Sequence, residues 1–152
     1  MNRKEKLAWY RKEFDIINKE IKKKDSLSYF DFLRIRNFKL QNPSVEEEKH
    51  IKEVTEQAFI LAKEEKIEEA IGKLLELNGV AVPIASTILA MKFPEKYAII
   101  DRIVITKLGR KDWLKNYSKD SGIYKEYLLL MRKQAKEKGL FLRDYERSLF
   151  EK

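Results

Sequence analysis

Two short segments carry the residues whose types and spacing point to chemistry. The first is Leu77-Asn78-Gly79-Val80-Ala81-Val82-Pro83, a glycine-containing turn leading into a run of helix-forming residues. A tight turn that feeds a helix N-terminus exposes unpaired backbone N–H groups at the positive end of the helix dipole. Such groups hold phosphate without help from a side chain. Pro83 suits a first helical turn, where its missing N–H costs nothing. An ordinary αα-hairpin with a glycine turn would show the same pattern, so the residues alone leave both readings open. The second segment is Asp101-Arg102-Ile103-Val104-Ile105-Thr106-Lys107, in which Asp101 is a good N-cap for a helix. Gly109 is placed to end that helix and turn Arg110 and Lys111 outward. Lys107, Arg110 and Lys111 then suit either phosphate contacts or the negative end of a helix dipole.

Composition removes many other chemistries. The 152 residues include no Cys, which excludes disulfides, thiolate zinc sites, cysteine nucleophiles and cysteine-ligated iron–sulfur clusters. His50 is the only histidine, which argues against a histidine-rich metal site or a Ser-His-Asp triad. Glu46, Glu47 and Glu48 are consecutive and so point in different directions around a helix, which suits a helix N-terminus better than a metal. No metal and no cofactor is expected. The absence of a long apolar run or an apolar leader predicts a soluble, cytoplasmic protein that does not enter a membrane.

The net charge is +8, and it is unevenly spread. Residues 43–76 carry five Lys against ten Glu, whereas residues 92–119 carry eight basic side chains against three acidic ones. An acidic middle followed by a basic stretch suits a molecule with one face turned to a polyanion. Alternating Lys and Glu on solvated helix faces is the plainer reading.

Helices must position these segments, because five Gly and three Pro leave the chain few interruptions. Leu7, Tyr10, Phe14, Ile17 and Ile21 form one apolar stripe on a basic helix. Asp25-Ser26 is expected to open a second helix that buries Phe30, Leu33 and Phe38. Asn42-Pro43 breaks the chain, and Ser44 with Glu47 reads as a capping box for a third helix bearing Ile51, Val54, Ala58 and Ala62. Further helices are predicted over 67–77, from about Val82, over 123–138 ended by Gly139, and over 142–150. The expectation is a single all-α domain spanning 1–152.

The segment Leu77-Asn78-Gly79-Val80-Ala81 followed by Ala85, Ile88 and Leu89 resembles the helix-hairpin-helix of the base-excision DNA glycosylase superfamily, of the endonuclease III and adenine-glycosylase type. In that family the turn reads Leu-Pro-Gly-Val-Gly, and a catalytic Asp lies downstream in a Val/Leu-Asp context before another helix. Phe93-Pro94-Glu95-Lys96-Tyr97-Ala98-Ile99-Ile100-Asp101 places Asp101 at that position. The likeness covers residues 71–108, with the hairpin at about 67–91. The ending Leu142-Arg143-Asp144-Tyr145-Glu146-Arg147-Ser148-Leu149-Phe150 is similar to that of short, stand-alone, functionally unassigned members of the fold. Three departures matter. Pro83 stands where bifunctional members carry a lysine nucleophile, which closes the Schiff-base route through that position. Ala81 replaces the second turn glycine, a handicap if the position needs a positive φ. Asn78 replaces the usual Pro.

The resemblance implies a compact multi-helix, DNA-glycosylase-like fold whose helix-hairpin-helix binds double-stranded DNA. Asn78, Gly79, Val80, Ala81 and Val82 would meet the phosphate backbone, with Arg102, Lys107, Arg110 and Lys111 adding basic contacts. In a prokaryote such a protein would associate with the nucleoid. Asp101 would then activate water or stabilise the oxocarbenium-like cation that develops as a base leaves its sugar, in a monofunctional DNA N-glycosylase acting on a flipped-out base. Tyr97, Phe93 and Trp113 are candidates to stack on that base, or else are core packing. The alternatives are a non-catalytic DNA-binding or repair-accessory module that keeps Asp101 only as a cap, and a protein-interaction module whose hairpin no longer meets DNA.

Overall fold

A computed structural model describes residues 1–39 and 46–152. In chain order the helices are α1 (Arg3–Ile21), α2 (Tyr29–Phe38), α3 (Glu48–Lys63), α4 (Ile67–Leu74), α5 (Val82–Lys92), α6 (Arg102–Lys107), α7 (Ser121–Glu137) and α8 (Leu142–Phe150). A single 3₁₀ turn at Lys111–Trp113 follows α6. Among the described residues there is no strand, so the chain is all-α and compact.

Burial pattern decides where each helix sits. α1 and α3 are amphipathic, burying Phe14, Ile17 and Ile21 from one and Ile51, Val54, Ala58 and Ala62 from the other. α5 differs, because every residue from Ile84 to Lys92 is buried, as is Val82. A helix apolar on all sides has no solvent face to offer, so it becomes the central element. α1, α2 and α4 pack around it, α3 and α7 pack against α4, and α8 closes over α6 and α7. Lys92 ends α5 inside the protein. Its ammonium donates to the carbonyls of Ile21 (3.0 Å), Lys22 (2.7 Å) and Lys24, satisfying orphan carbonyls at the end of α1.

Three expectations need correction. The second helix starts at Ser28, not Asp25-Ser26: Ser28 Oγ accepts from the Asp31 N–H, and Asp31 accepts in return from the Ser28 N–H. Its inner face carries Phe32, Ile35 and Phe38, while Phe30 is 69% exposed. Residues two apart on a helix lie on nearly opposite sides, so reading Phe30 for Phe32 turns the helix around. The third helix starts at Glu48 with Glu47 as its N-cap and no side-chain cap bond. Asn42, Pro43 and Ser44 lie outside the described residues. The fourth helix stops at Leu74, ahead of Leu77.

Pro94 halts the chain after α5, and residues 97–100 run as non-helical backbone, all buried. Buried backbone polar groups need partners, and here side chains supply them. Tyr124 Oη donates to the Ala98 carbonyl (2.8 Å) and Tyr127 Oη to that of Ile99 (2.7 Å). The Ile99 N–H donates to Glu146 Oε1 (3.0 Å), and the Ile100 N–H to Ser86 Oγ (3.1 Å). Tyr127→Phe strands the Ile99 carbonyl and should lower unfolding free energy by about 1–3 kcal/mol, read as a fall in the urea midpoint. An unchanged midpoint would show that this bond holds nothing in place.

Candidate functional site

The turn between α4 and α5 is built as the sequence suggests, with partners that it did not reveal. Gly79 has φ +72°, a left-handed conformation that favours glycine, whereas Ala81 sits at φ −103° in extended backbone. Ala81 is therefore unstrained, and the missing second glycine carries no conformational cost. The Asn78 N–H donates to Glu46 Oε2 (3.0 Å), and Arg36 donates to the carbonyls of Asn78 (3.4 Å) and Gly79 (3.2 Å). Val80 N–H donates to the Leu77 carbonyl (3.2 Å) and Val82 N–H to that of Ser118 (3.0 Å).

These bonds sort the predicted phosphate contacts. The amides of Asn78, Val80 and Val82 are taken, and the Val80 and Val82 side chains are buried anchors. Among the described residues the Gly79 and Ala81 amides have no intramolecular acceptor, and both residues are exposed. Glu46 belongs to this turn more than to a helix terminus. Burial pushes its carboxyl up, but the Asn78 amide, His50 Nδ1 (2.9 Å) and the Glu47 amide together hold it below the ordinary value.

Of the basic candidates, Arg102, Lys107 and Lys111 are exposed, and Lys107 donates to the Lys152 carbonyl (2.7 Å). Arg110 binds Asp112 through two bonds (3.0 and 2.9 Å) and stacks on Trp113 at 3.9 Å, so much of its charge is already answered. Gly109, at φ +75°, ends α6 as expected. The Val82–Ser118 bond ties a further exposed basic stretch, Lys115 and Lys119, to the turn.

Asp101 caps α6, its Oδ1 accepting from the Val104 N–H at 2.8 Å. It also lines a pocket of about 120 Å³ between α1, α2, α6 and α8, with Tyr10, Phe38, Lys39, Arg143, Glu146 and Phe150 among its walls. Burial raises the Asp101 carboxyl above the usual aspartate range, against the pull of the Val104 amide and Lys39. Glu146 is raised too, by burial first and with the Asp101 charge adding, although Arg143 and the Ile99 amide oppose this. Arg143 pairs with Glu146 and stacks on Phe14 at 3.7 Å, and Arg147 bonds Asp15 at 3.1 Å. Among the described residues the buried Nε–H groups of Arg143 and Arg147 have no acceptor. At the rim Arg11 is bidentate to Glu151.

The aromatic candidates change accordingly. Tyr97 and Trp113 are 1% and 3% exposed, Tyr97 Oη is spent on the Ala62 carbonyl, and Phe93 packs edge-on to Phe59. All three are core. Tyr10, Phe38 and Phe150 are the rings at the pocket, with Tyr10 edge-on to Phe38 at 5.3 Å and to Phe150 at 6.5 Å. Tyr10 was legible as part of the first apolar stripe, and Arg143 and Glu146 lie in the ending Leu142–Phe150 that the resemblance singled out, but nothing local marks Lys39 or assigns these charges to a pocket. Their convergence depends on how α2 and α8 meet.

Among the described residues no group of three or more His, Asp or Glu is arranged to hold a metal, and no helix is long and apolar enough to cross a membrane. Comparison with protein-family models, curated proteins and solved structures finds no match.

Asn caps helices as well as Asp but carries no charge to desolvate. Asp101→Asn should therefore keep or raise stability at neutral pH, whereas Asp101→Ala should lose about 1 kcal/mol of capping. Because the folded-state carboxyl is raised, its stabilising contribution is present in acid and fades as pH rises through the folded value. Urea titrations across pH should show the wild type losing ground to Asp101→Asn on going from acid to neutral. A constant difference would contradict the buried-carboxylate assignment.

Proposed function

We propose that this chain is a DNA-binding protein of the base-excision glycosylase fold and that Asp101 serves hydrolysis of the N-glycosidic bond of a modified base. The observation that carries the reading is Asp101 itself, a carboxylate kept at the edge of an aromatic-walled pocket at the cost of partial desolvation. Structural capping would not require that cost, since Asn would cap without it. In this reading α4, the turn and α5 act as a helix-hairpin-helix, and a phosphate accepts from the Gly79 and Ala81 amides. Lys111 and Lys107 add point charges, and the Val82–Ser118 bond brings the stretch bearing Lys115 and Lys119 to the turn. A flipped nucleotide places its base among Tyr10, Phe38 and Phe150, where aromatic faces stack on any base. The ionised Asp101 then stands beside the sugar carbon, where positive charge builds as the base departs. Pro83 stands where an amine nucleophile would sit, and Lys92 at the far end of α5 is spent on three carbonyls, so the base-release step is assigned to water.

The cap bond to Val104 also favours a second reading, a non-catalytic DNA-binding module in which Asp101 only begins α6. Duplexes each carrying one modified base, incubated with the protein and developed with alkali, separate the two. Cleavage at one lesion that vanishes in Asp101→Asn, with DNA affinity unchanged, is the expected result. Base release that survives Asp101→Asn would remove the carboxylate from the reaction. The footprint has its own check: Gly79→Val should weaken duplex binding, and Lys111→Ala should lower the slope of log affinity against log salt by about one. Unchanged affinity and slope would place the DNA elsewhere on the surface.

A further inference from the structure

The Asp101 pocket shares Leu7, Arg11 and Glu151 with a second, more open groove along the first turns of α1, whose other walls are Arg3, Lys4 and Ala8. Three cations and one carboxylate therefore border this groove. Lys107 of α6 stands beside them, because Lys107 and Arg3 both donate to the Lys152 carbonyl (2.7 and 3.5 Å), and Arg3 also donates to that of Glu151 (2.8 Å). Those bonds answer carbonyls at the end of α8, the negative end of its dipole. Arg11 does something different. Its Nε donates to Glu151 Oε1 (2.6 Å) and its Nη2 to Oε2, a guanidinium fork closed on a carboxylate. The same fork fits two oxygens of a phosphate. The Arg11 side chain stays 55% exposed, against 18% for Glu151, so an anion in the groove has access to it.

We propose that Arg11, flanked by Arg3, Lys4 and Lys107, seats a backbone phosphate of the strand whose nucleotide enters the Asp101 pocket, and that Glu151 fills this seat in the free protein and is displaced by the phosphate. The inference rests on the DNA reading above and adds to it a second contact surface, separate from the hairpin turn, that carries its own competitor. A flipped nucleotide has a phosphodiester on each side of its sugar. A sugar beside Asp101 therefore brings phosphates to the rim of the pocket, where Arg11 stands.

The electrostatics of the rim suit exchange of one anion for another. The Arg11 bond holds the Glu151 carboxyl below the ordinary glutamate range, with burial opposing, so the competitor is ionised at neutral pH. Arg147 and Arg143 pull it in the same direction, which marks the rim as a cationic field around one carboxylate. Asp15 and Asp144 also act on Arg11 from a distance, but Asp15 is bonded to Arg147. An ion pair this exposed is weak, so Glu151 discriminates against feeble anions without shutting the seat to a strand held at other points as well.

The test is a double-variant cycle on the full chain. Wild type, Glu151→Gln, Arg11→Gln and the double variant are each titrated with a fluorescent duplex bearing a tetrahydrofuran abasic analogue, at several salt concentrations. Removing the competitor in Glu151→Gln should tighten binding by about two- to fivefold at low salt, a gain that misfolding does not mimic. Arg11→Gln should weaken binding and lower the slope of log affinity against log salt by about one. The double variant decides between displacement and a general charge effect. Loss of a negative charge anywhere favours a polyanion and would help both backgrounds equally, whereas displacement predicts that Glu151→Gln brings no gain once Arg11 is gone. No gain in Glu151→Gln, an equal gain in both backgrounds, or wild-type affinity and slope in Arg11→Gln each overturns the inference and leaves the DNA reading standing. Absence of duplex binding by both the wild type and Glu151→Gln at low salt removes the two together.

Discussion

The architecture depends on one constraint, the need to satisfy a stretch of non-helical backbone buried inside an all-helical protein. Ala98, Ile99 and Ile100 have no helix ladder to join, and water does not reach them. Four side chains from three helices take over: Ser86 of α5, Tyr124 and Tyr127 of α7, and Glu146 of α8. An unpaired buried carbonyl or amide costs on the order of 1–3 kcal/mol, so these bonds specify how the helices converge. The segment leads straight into Asp101, whose position is thereby fixed from both sides, by the anchored backbone before it and by the first turn of α6 after it.

α5 links this anchor to the α4–α5 turn. Its N-terminal end carries Ala81 and the left-handed Gly79, and its Ser86 holds Ile100. The turn and the backbone that carries the carboxylate are thus both held by the N-terminal half of one buried helix. Arg36 grips the turn carbonyls while Lys39, three residues on, reaches the Asp101 pocket, so α2 braces both places as well. Buried charge is costly, and this protein gathers Lys39, Asp101, Glu146 and Arg143 around one small cavity. Where a fold tolerates such a concentration, function is the physical reason to look for first.

The sequence was most legible where local chemistry decides structure. The start of α5 behind Pro83, the cap at Asp101 and the end of α6 at Gly109 all follow from residues within a turn of one another. It was least legible where two neighbouring residues compete for one face, as with Phe30 and Phe32, because one capping box three residues later rotates the whole helix. The pocket was hidden for a different reason. Lys39 and Glu146 are 107 positions apart, and only the packing of α2, α6 and α8 brings them together. Trp113 and Tyr97 misled in the opposite direction, being aromatic and near Asp101 in sequence but committed to the core.

The most direct test of the central claim is fluorescence anisotropy with two duplexes, one intact and one bearing a tetrahydrofuran abasic analogue, each titrated with salt. The proposed binding of a flipped nucleotide in the Asp101 pocket predicts tighter binding to the analogue, where no base needs unstacking before a sugar enters. It also predicts a negative salt slope that reports the phosphates neutralised. Absence of binding to either duplex at low salt would contradict the claim that this fold serves DNA.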